Sequence, residues 1–371
     1  MFEDRVFELR PPGAPGGVLR VRRKQRVGAT ARHPPVVVVH GATFCSALFD
    51  LPLAGYSLLT ALADAGRVVY AIDIRGYGLS LGPGVMDEAP DRHPPFADAA
   101  AAVEDIATAV TFILGQHGAR KLDLVGFSWG TITSACFAGE NPDKVARLVL
   151  YAPIYSHTRP IWIGAEKNEP GGKPRLGAYR LISEAGIVAR WDADLPAGQA
   201  SRFRDDTIAP MLFDVVAAFD PRAQSRSPPA FRCPNGAIKD LMQVLAGQRL
   251  FEPAKLTMPV LLVRGEHDLT SIDADAGRLL SLIPSPVKHY KMITPGSHFL
   301  CIERRGLARN QGGLYRDRAV LRPAPRQVMV GRAGRAAVAW LAISHDVTQQ
   351  EILPEQNRSS RHIRSCDAIG G

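Results

Sequence analysis

Gly126-Phe127-Ser128-Trp129-Gly130 follows directly on the apolar run Leu122-Asp123-Leu124-Val125. The pentapeptide is G-x-S-x-G at a point where a strand should end and a helix begin. Thr131 to Glu140 can be helical, and Asn141-Pro142-Asp143 closes that segment with turn chemistry. A serine in this setting sits on a sharp, strained turn with its hydroxyl pushed into a cleft. Glycines flank it because a side chain at either position would collide with the turn or the neighbouring backbone. The chain has 34 glycines, so the pentapeptide by itself fits an ordinary loop serine equally well. The strand–turn–helix context is what selects a nucleophile.

A serine hydroxyl is a weak nucleophile. It needs a base to take its proton, and the base needs an orienting carboxylate. In a fold that presents serine this way, the order along the chain is serine, acid, histidine. Val260-Leu261-Leu262-Val263 reads as a buried parallel strand, and Arg264-Gly265-Glu266-His267-Asp268 follows it. Asp268 is the candidate acid, with Glu266 as the competitor nearer the strand end. Val287-Lys288-His289-Tyr290 is the next strand candidate, and Pro295-Gly296-Ser297-His298-Phe299 comes after a short loop. His298 is the candidate base; His267 adjoins the acid and His289 lies within the strand, so both read as bystanders. The oxyanion of an acyl intermediate needs two preorganised N–H donors. One is the amide of Trp129, the residue after the nucleophile. The other belongs to the loop His40-Gly41-Ala42-Thr43 after the strand Val36 to Val39, with Ala42 as first choice and Thr43 as fallback. His40 reads as a buttress of this loop.

With these pieces in place the chain resembles the α/β-hydrolase superfamily. The matching segments are His40-Gly41-Ala42, Asp73-Ile74-Arg75-Gly76-Tyr77-Gly78-Leu79-Ser80, the Ser128 pentapeptide, Asn141-Pro142-Asp143-Lys144-Val145, Arg264 to Asp268 and Gly296-Ser297-His298-Phe299. They occur in the family's order over roughly residues 30 to 302. The resemblance implies a triad of Ser128, Asp268 and His298, and a structural role near the pocket for the Asp73–Ser80 loop. It also implies a helical cap inserted between two core strands. Dehalogenating members need an aspartate where this chain has Ser128, which disfavours that chemistry.

The elements that must position these residues alternate between strand-like and helix-like. Strands are expected at Val36, Val68, Leu122 and Arg147 to Tyr151, with helices around Tyr56 to Ala65 and Phe96 to Leu114. Val6 to Arg10 and Val18 to Arg22 alternate about a Pro/Gly turn and predict edge strands. Alternation of this kind gives a mostly parallel central sheet with helices on both faces, and a ligand site at the carboxyl ends of the strands. All three triad candidates fall just after strand ends. The reading divides the chain into a first core part (1–153), a cap or lid insertion (154–256), a second core part (257–344) and a disordered tail (345–371). No strand is evident in the insertion, whose large apolar residues include Ile161, Trp162, Ile163, Trp191, Phe203, Met211, Phe213 and Phe219. A terminal helix is expected over Gly334 to Ile343, with Leu314 to Leu321 as the competing segment.

Composition narrows the function classes. At 371 residues with 46% hydrophobic content, the chain has room for a large core and an insertion. Five cysteines without paired spacing argue against a disulfide framework, and neither C-x-x-C nor a dense His/Asp cluster supports a metal site. The N-terminus has no apolar core of signal-peptide type, and no stretch reads as a membrane span of about 20 apolar residues. A cytoplasmic protein is the expectation. The net charge is +9, of which +6 (12 Arg, 6 Asp plus Glu) lies from Glu303 onward. This reads as a solvated tail; no aromatic-interleaved basic motif points to nucleic acid.

The chemistry these residues predict is cleavage of a carboxylic ester or related acyl bond through an acyl-enzyme, on a small to medium, partly apolar substrate, with no cofactor. Acyl transfer to an alcohol or amine on the same triad, and small-ligand binding without turnover, are the alternatives. The bond cleaved and the oligomeric state stay open at this level.

Overall fold

Four consecutive valines, Val36–Val39, are fully buried and form β3. A β-branched run with no polar face suits a strand covered on both sides, as in the interior of a parallel sheet. The computed structural model describes residues 1–14, 17–28, 33–81, 84–157, 176–304 and 328–329. The strands are β1 (Phe2–Leu9), β2 (Leu19–Arg26), β3, β4 (Val69–Asp73), β5 (Leu122–Phe127), β6 (Val145–Tyr151), β7 (Tyr179–Ser183), β8 (Ala230–Pro234), β9 (Val260–Gly265), β10 (Lys288–Ile293) and the two-residue β11 (Val328–Met329). The helices are α1 (Leu58–Asp64), α2 (Ala99–His117), α3 (Trp129–Glu140), α4 (Glu184–Asp192), the single turn α5 (Ala200–Phe203), α6 (Ile208–Ala217), α7 (Gly236–Leu245) and α8 (Asp273–Leu282).

The main sheet runs β1-β2-β4-β3-β5-β6-β9-β10-β11. The β1–β2 hairpin is antiparallel and pairs antiparallel with β4; all other pairings are parallel. This is the α/β-hydrolase fold expected from the sequence. Strand order reverses around β3, which lies between β4 and β5, so the loops leaving β3 and β5 flank the crevice where such sheets bind ligands. Register sets the level of the site. Val39 pairs with Gly126, so the loop at Ala42 and the turn at Ser128 leave the sheet side by side. On the other flank Gly265 pairs with Ile293, which brings the loops carrying Asp268 and His298 out together.

Asp123 is an acid inside an otherwise apolar strand, and the fold accounts for it. It is fully buried, accepts from Arg147 at 2.7–2.9 Å and pairs with Arg67 beneath the sheet. A buried carboxylate is tolerated only when paired in this way.

The element ends differ from the predicted ones by a few residues in either direction, as element ends usually do. Two sequence expectations need correction. The segment 154–256 does contain strands. β7 and β8 form a separate antiparallel pair, with Tyr179 opposite Pro234 and Ser183 opposite Ala230. Their sequences, Tyr-Arg-Leu-Ile-Ser and Ala-Phe-Arg-Cys-Pro, carry no clean alternation. The buried Arg232 is held in place by Asp220 and Asp87, an ion-pair arrangement that a hydrophobicity pattern cannot reveal. Secondly, one helix among the described residues, α2, is long and apolar enough by length and composition to cross a membrane. Here it packs against α3 and α7, its Ala102, Ile106, Ala109, Val110 and Ile113 are fully buried, and its Asp105 is buried in an ion pair with Arg75.

Ile161, Trp162 and Ile163, both candidate terminal helices and the tail 345–371 lie outside the described residues. β11 falls between those two helix candidates and pairs parallel with β10.

Candidate active site

Ser128 sits between the end of β5 and the start of α3 with φ +55° and ψ −121°, a backbone state that costs a non-glycine residue on the order of 1–3 kcal/mol. Its surroundings enforce that state. The Ser128 amide donates to Tyr151 O at 2.9 Å, and its carbonyl accepts from the amide and hydroxyl of Thr131. The flanking glycines are steric requirements. A Cβ on Gly126 would lie 2.2 Å from Gly130 O, and one on Gly130 would lie 2.4 Å from His40 O. The turn is thus wedged against the loop after β3, bringing the nucleophile and the proposed oxyanion loop into contact.

The structure brings the three triad candidates together. His298 Nε2 lies 2.9 Å from Ser128 Oγ, and its Nδ1 lies 2.8 Å from Asp268 Oδ2. Asp268 Oδ1 accepts from the amides of Thr270 and Ser271 at 2.9 and 2.7 Å. Burial alone would push the Asp268 carboxyl up; the charge and hydrogen bond of His298 and the Ser271 amide outweigh it and hold the group below the usual carboxylate range. An ionised Asp268 accepts only, so Nδ1 of His298 carries a proton and Nε2 is free to accept from the serine hydroxyl. All three residues are buried. The competitor Glu266 is half-exposed and faces His267 at 3.8 Å.

The proposed oxyanion donors are also adjacent. Among the described residues the amides of Ala42 and Trp129 donate no hydrogen bond to the protein. His40 is buried, its Nδ1 contacts Gly41 O at 2.8 Å, and its Nε2 accepts from the Ile74 amide at 3.1 Å. Those partners place the proton on Nδ1. Burial lowers the His40 pKa despite nearby Asp73, which favours a neutral ring. With Gly41 O tied to the ring, the trans peptide turns the Ala42 N–H the opposite way. The Ala42 carbonyl is held in turn by Tyr77 Oη (3.0 Å), Arg180 Nη2 (2.9 Å) and Cys233 Sγ (3.2 Å). Asp73 serves structure, accepting from the amides of Ser46 and Leu79 at 2.8 and 2.9 Å. Cys45 beside this loop is buried, and burial pushes its thiol well up, which disfavours the thiolate.

Sequence reasoning missed several residues that hold the site. Arg180 and Cys233 reach Ala42 from the separate β7–β8 pair, and Asp194 accepts from the His298 amide at 3.3 Å. Separations above 100 residues leave no local signal for such contacts. Among the described residues, no group of three or more His, Cys, Asp or Glu could hold a metal ion.

Glu303 gives a measurable pH signature. It accepts from the amide and hydroxyl of Ser297, next to His298, and burial pushes its carboxyl from an ordinary value near 4.5 up to about 7. Between those values the folded chain keeps a proton that the unfolded chain releases. This contribution to stability is fully present below about pH 4.5 and is lost as pH rises through about 7. Thermal unfolding of the native chain and of Glu303→Gln, scanned over that window, should show the native Tm falling relative to the variant as pH rises. Parallel curves would contradict the assignment.

A family model described as α/β hydrolase fold matches residues 34–179. The chain is 28% identical over 178 residues to a haloalkane dehalogenase of Mycolicibacterium paratuberculosis, covering 47% of this chain and 52% of that one. It is 32% identical over 168 residues to epoxide hydrolase B of Mycobacterium tuberculosis, covering 43% and 40%. The chain thus spans about half the length of these curated relatives. Among solved structures, a haloalkane dehalogenase loop variant from Bradyrhizobium elkanii superposes with a TM-score of 0.52 at 14% identity, covering 92% of this chain and 97% of that one. At that identity the likeness is one of fold.

Proposed function

Because the chain belongs to the α/β-hydrolase superfamily, we propose that it is a serine hydrolase that cleaves a carboxylic ester or related acyl bond. The observation that carries this reading is the continuous hydrogen-bonded chain Ser128 Oγ–His298–Asp268. In the proposed cycle, Ser128 Oγ attacks the acyl carbonyl as its proton passes to His298 Nε2. Asp268 stabilises the resulting imidazolium through Nδ1. The amides of Ala42 and Trp129 receive the oxyanion. The imidazolium then protonates the leaving group. Water, deprotonated by His298, attacks the acyl-enzyme, and the imidazolium returns that proton to Ser128 Oγ as the acid leaves. In this reading the segment 154–256 covers the site as a lid, consistent with the burial of all three triad side chains.

Two named relatives are a dehalogenase and an epoxide hydrolase, and the nucleophile argues against carrying those activities over. A serine oxygen that displaced halide from, or opened an epoxide on, an alkyl carbon would form an ether. An ether has no carbonyl for water to attack, so the enzyme would stall after one event. An acyl group on the same oxygen is an ester and turns over.

The test is a substrate panel. p-Nitrophenyl esters of graded chain length should be turned over repeatedly, while 1-chlorobutane and styrene oxide should release no stoichiometric excess of halide or diol. Steady halide release would overturn the reading. Product analysis with added alcohol would expose acyl transfer.

A further inference from the structure

Trp129 contributes more to the site than its amide. Its indole is fully buried, and its Nε1–H donates at 2.9 Å to Oδ2 of Asp240, which lies on α7 in the inserted segment. The same oxygen accepts from the Ala99 amide at the start of α2, at 2.7 Å. Asp240 is only 3% exposed. The ion pair of Lys239 on α7 with Asp98, the N-cap of α2, lies next to it. Gly236 fixes the approach, since a Cβ there would lie 2.3 Å from the backbone of Ala97 and Asp98. One buried carboxylate therefore joins three things: the inserted α7, the core helix α2 and the side chain of the residue that follows the nucleophile.

Resting on the serine-hydrolase reading, we propose that Asp240 is a positioning residue, which sets the Trp129 amide for the developing oxyanion by holding the indole from the inserted segment. The Ser128–Trp129 peptide lies in a strained turn whose Ser128 side is fixed by Tyr151 O and Thr131. On the Trp129 side the hydrogen bond from the indole to Asp240 is the polar anchor. An amide that rotates or shifts by a fraction of an ångström still permits substrate binding. It loses the alignment needed when the carbonyl oxygen becomes an anion, and misplacement on that scale costs rate. The insertion then does more than cover the site: α7 sets one oxyanion donor as β7 and β8 brace the loop of the other. Burial pushes the Asp240 carboxyl up to about 6, so at about pH 8 it is ionised and both of its oxygens are acceptors.

The experiment uses the full chain at about pH 8 with p-nitrophenyl butyrate and a fluorophosphonate probe. Asp240→Leu should lower kcat and the labelling rate constant about tenfold to a hundredfold with little change in KM. Asp240→Asn, whose Oδ1 can accept both N–H groups, should recover most of that loss. Trp129→Phe, which removes the indole donor, should show the same kcat-weighted defect. Asp240→Leu should then add nothing in a Trp129→Phe background. If Asp240→Leu does not fold, Trp129→Phe alone decides. A folded Asp240→Leu or Trp129→Phe with native kcat, or with KM raised and kcat unchanged, would overturn the proposal. If the native chain itself fails to label, the serine-hydrolase reading is what fails. If the native chain labels and folded Asp240→Leu labels at the native rate, only the role of Asp240 falls.

Discussion

Ser128→Ala is expected to lower kcat on an acyl ester by roughly six orders of magnitude while leaving the fold intact. The first half follows from geometry: Ser128 Oγ is the atom 2.9 Å from His298 Nε2, and removing it leaves only attack by water on a substrate held in the oxyanion site. The second half follows from what holds the turn. The Ser128 amide and carbonyl make its structural hydrogen bonds, and alanine keeps both together with the Cβ already accommodated at φ +55°. Circular dichroism and Tm should therefore track the native chain while ester turnover vanishes. Turnover that survived in a folded variant would remove the nucleophile from the mechanism.

Asp268→Asn should cost about 10⁴ in kcat, for a reason of proton placement more than of charge. In the native chain Oδ1 takes two backbone amides and Oδ2 takes the His298 Nδ1–H. An asparagine must keep its oxygen toward the amides of Thr270 and Ser271, since turning its NH2 toward them would oppose donor to donor. Its NH2 then faces His298 Nδ1, which has to become an acceptor. The imidazole proton moves to Nε2, where it points at Ser128 Oγ, and the ring can no longer act as base. The variant should fold, bind ester with a near-native KM and turn over extremely slowly. Near-native kcat in Asp268→Asn would mean that the carboxylate does not set the tautomer.

The catalytic candidates were legible because each follows closely on a segment that reads as a strand. Ser128 follows β5, Asp268 lies just past β9, His298 follows β10 and Ala42 follows β3. A parallel sheet converts such positions into neighbours at one edge, so strand ends read from hydrophobicity already imply convergence. What binds the segment 154–256 to the site was not legible. Arg180 on Ala42, Asp194 on the His298 amide and Asp240 on Trp129 join residues 138, 104 and 111 apart. Polar residues scattered through an irregular segment look like surface until a fold buries them. The β7–β8 pair was missed for a related reason. Its arginines are satisfied by carboxylates and carbonyls from other segments, which no local propensity encodes. On the core side, the Arg-rich β2 was recognisable from the alternation of Leu19 and Val21, which are buried while Arg20 and Arg22 reach the acids of β1.

The most direct test of the central claim is covalent labelling by a fluorophosphonate, which asks for an activated serine without presuming a substrate. The native chain should label at one site, mapped by peptide mass to Ser128, and labelling should disappear in Ser128→Ala and fall by orders of magnitude in His298→Ala. A folded native chain that does not label, or one that labels equally well without His298, would contradict the account.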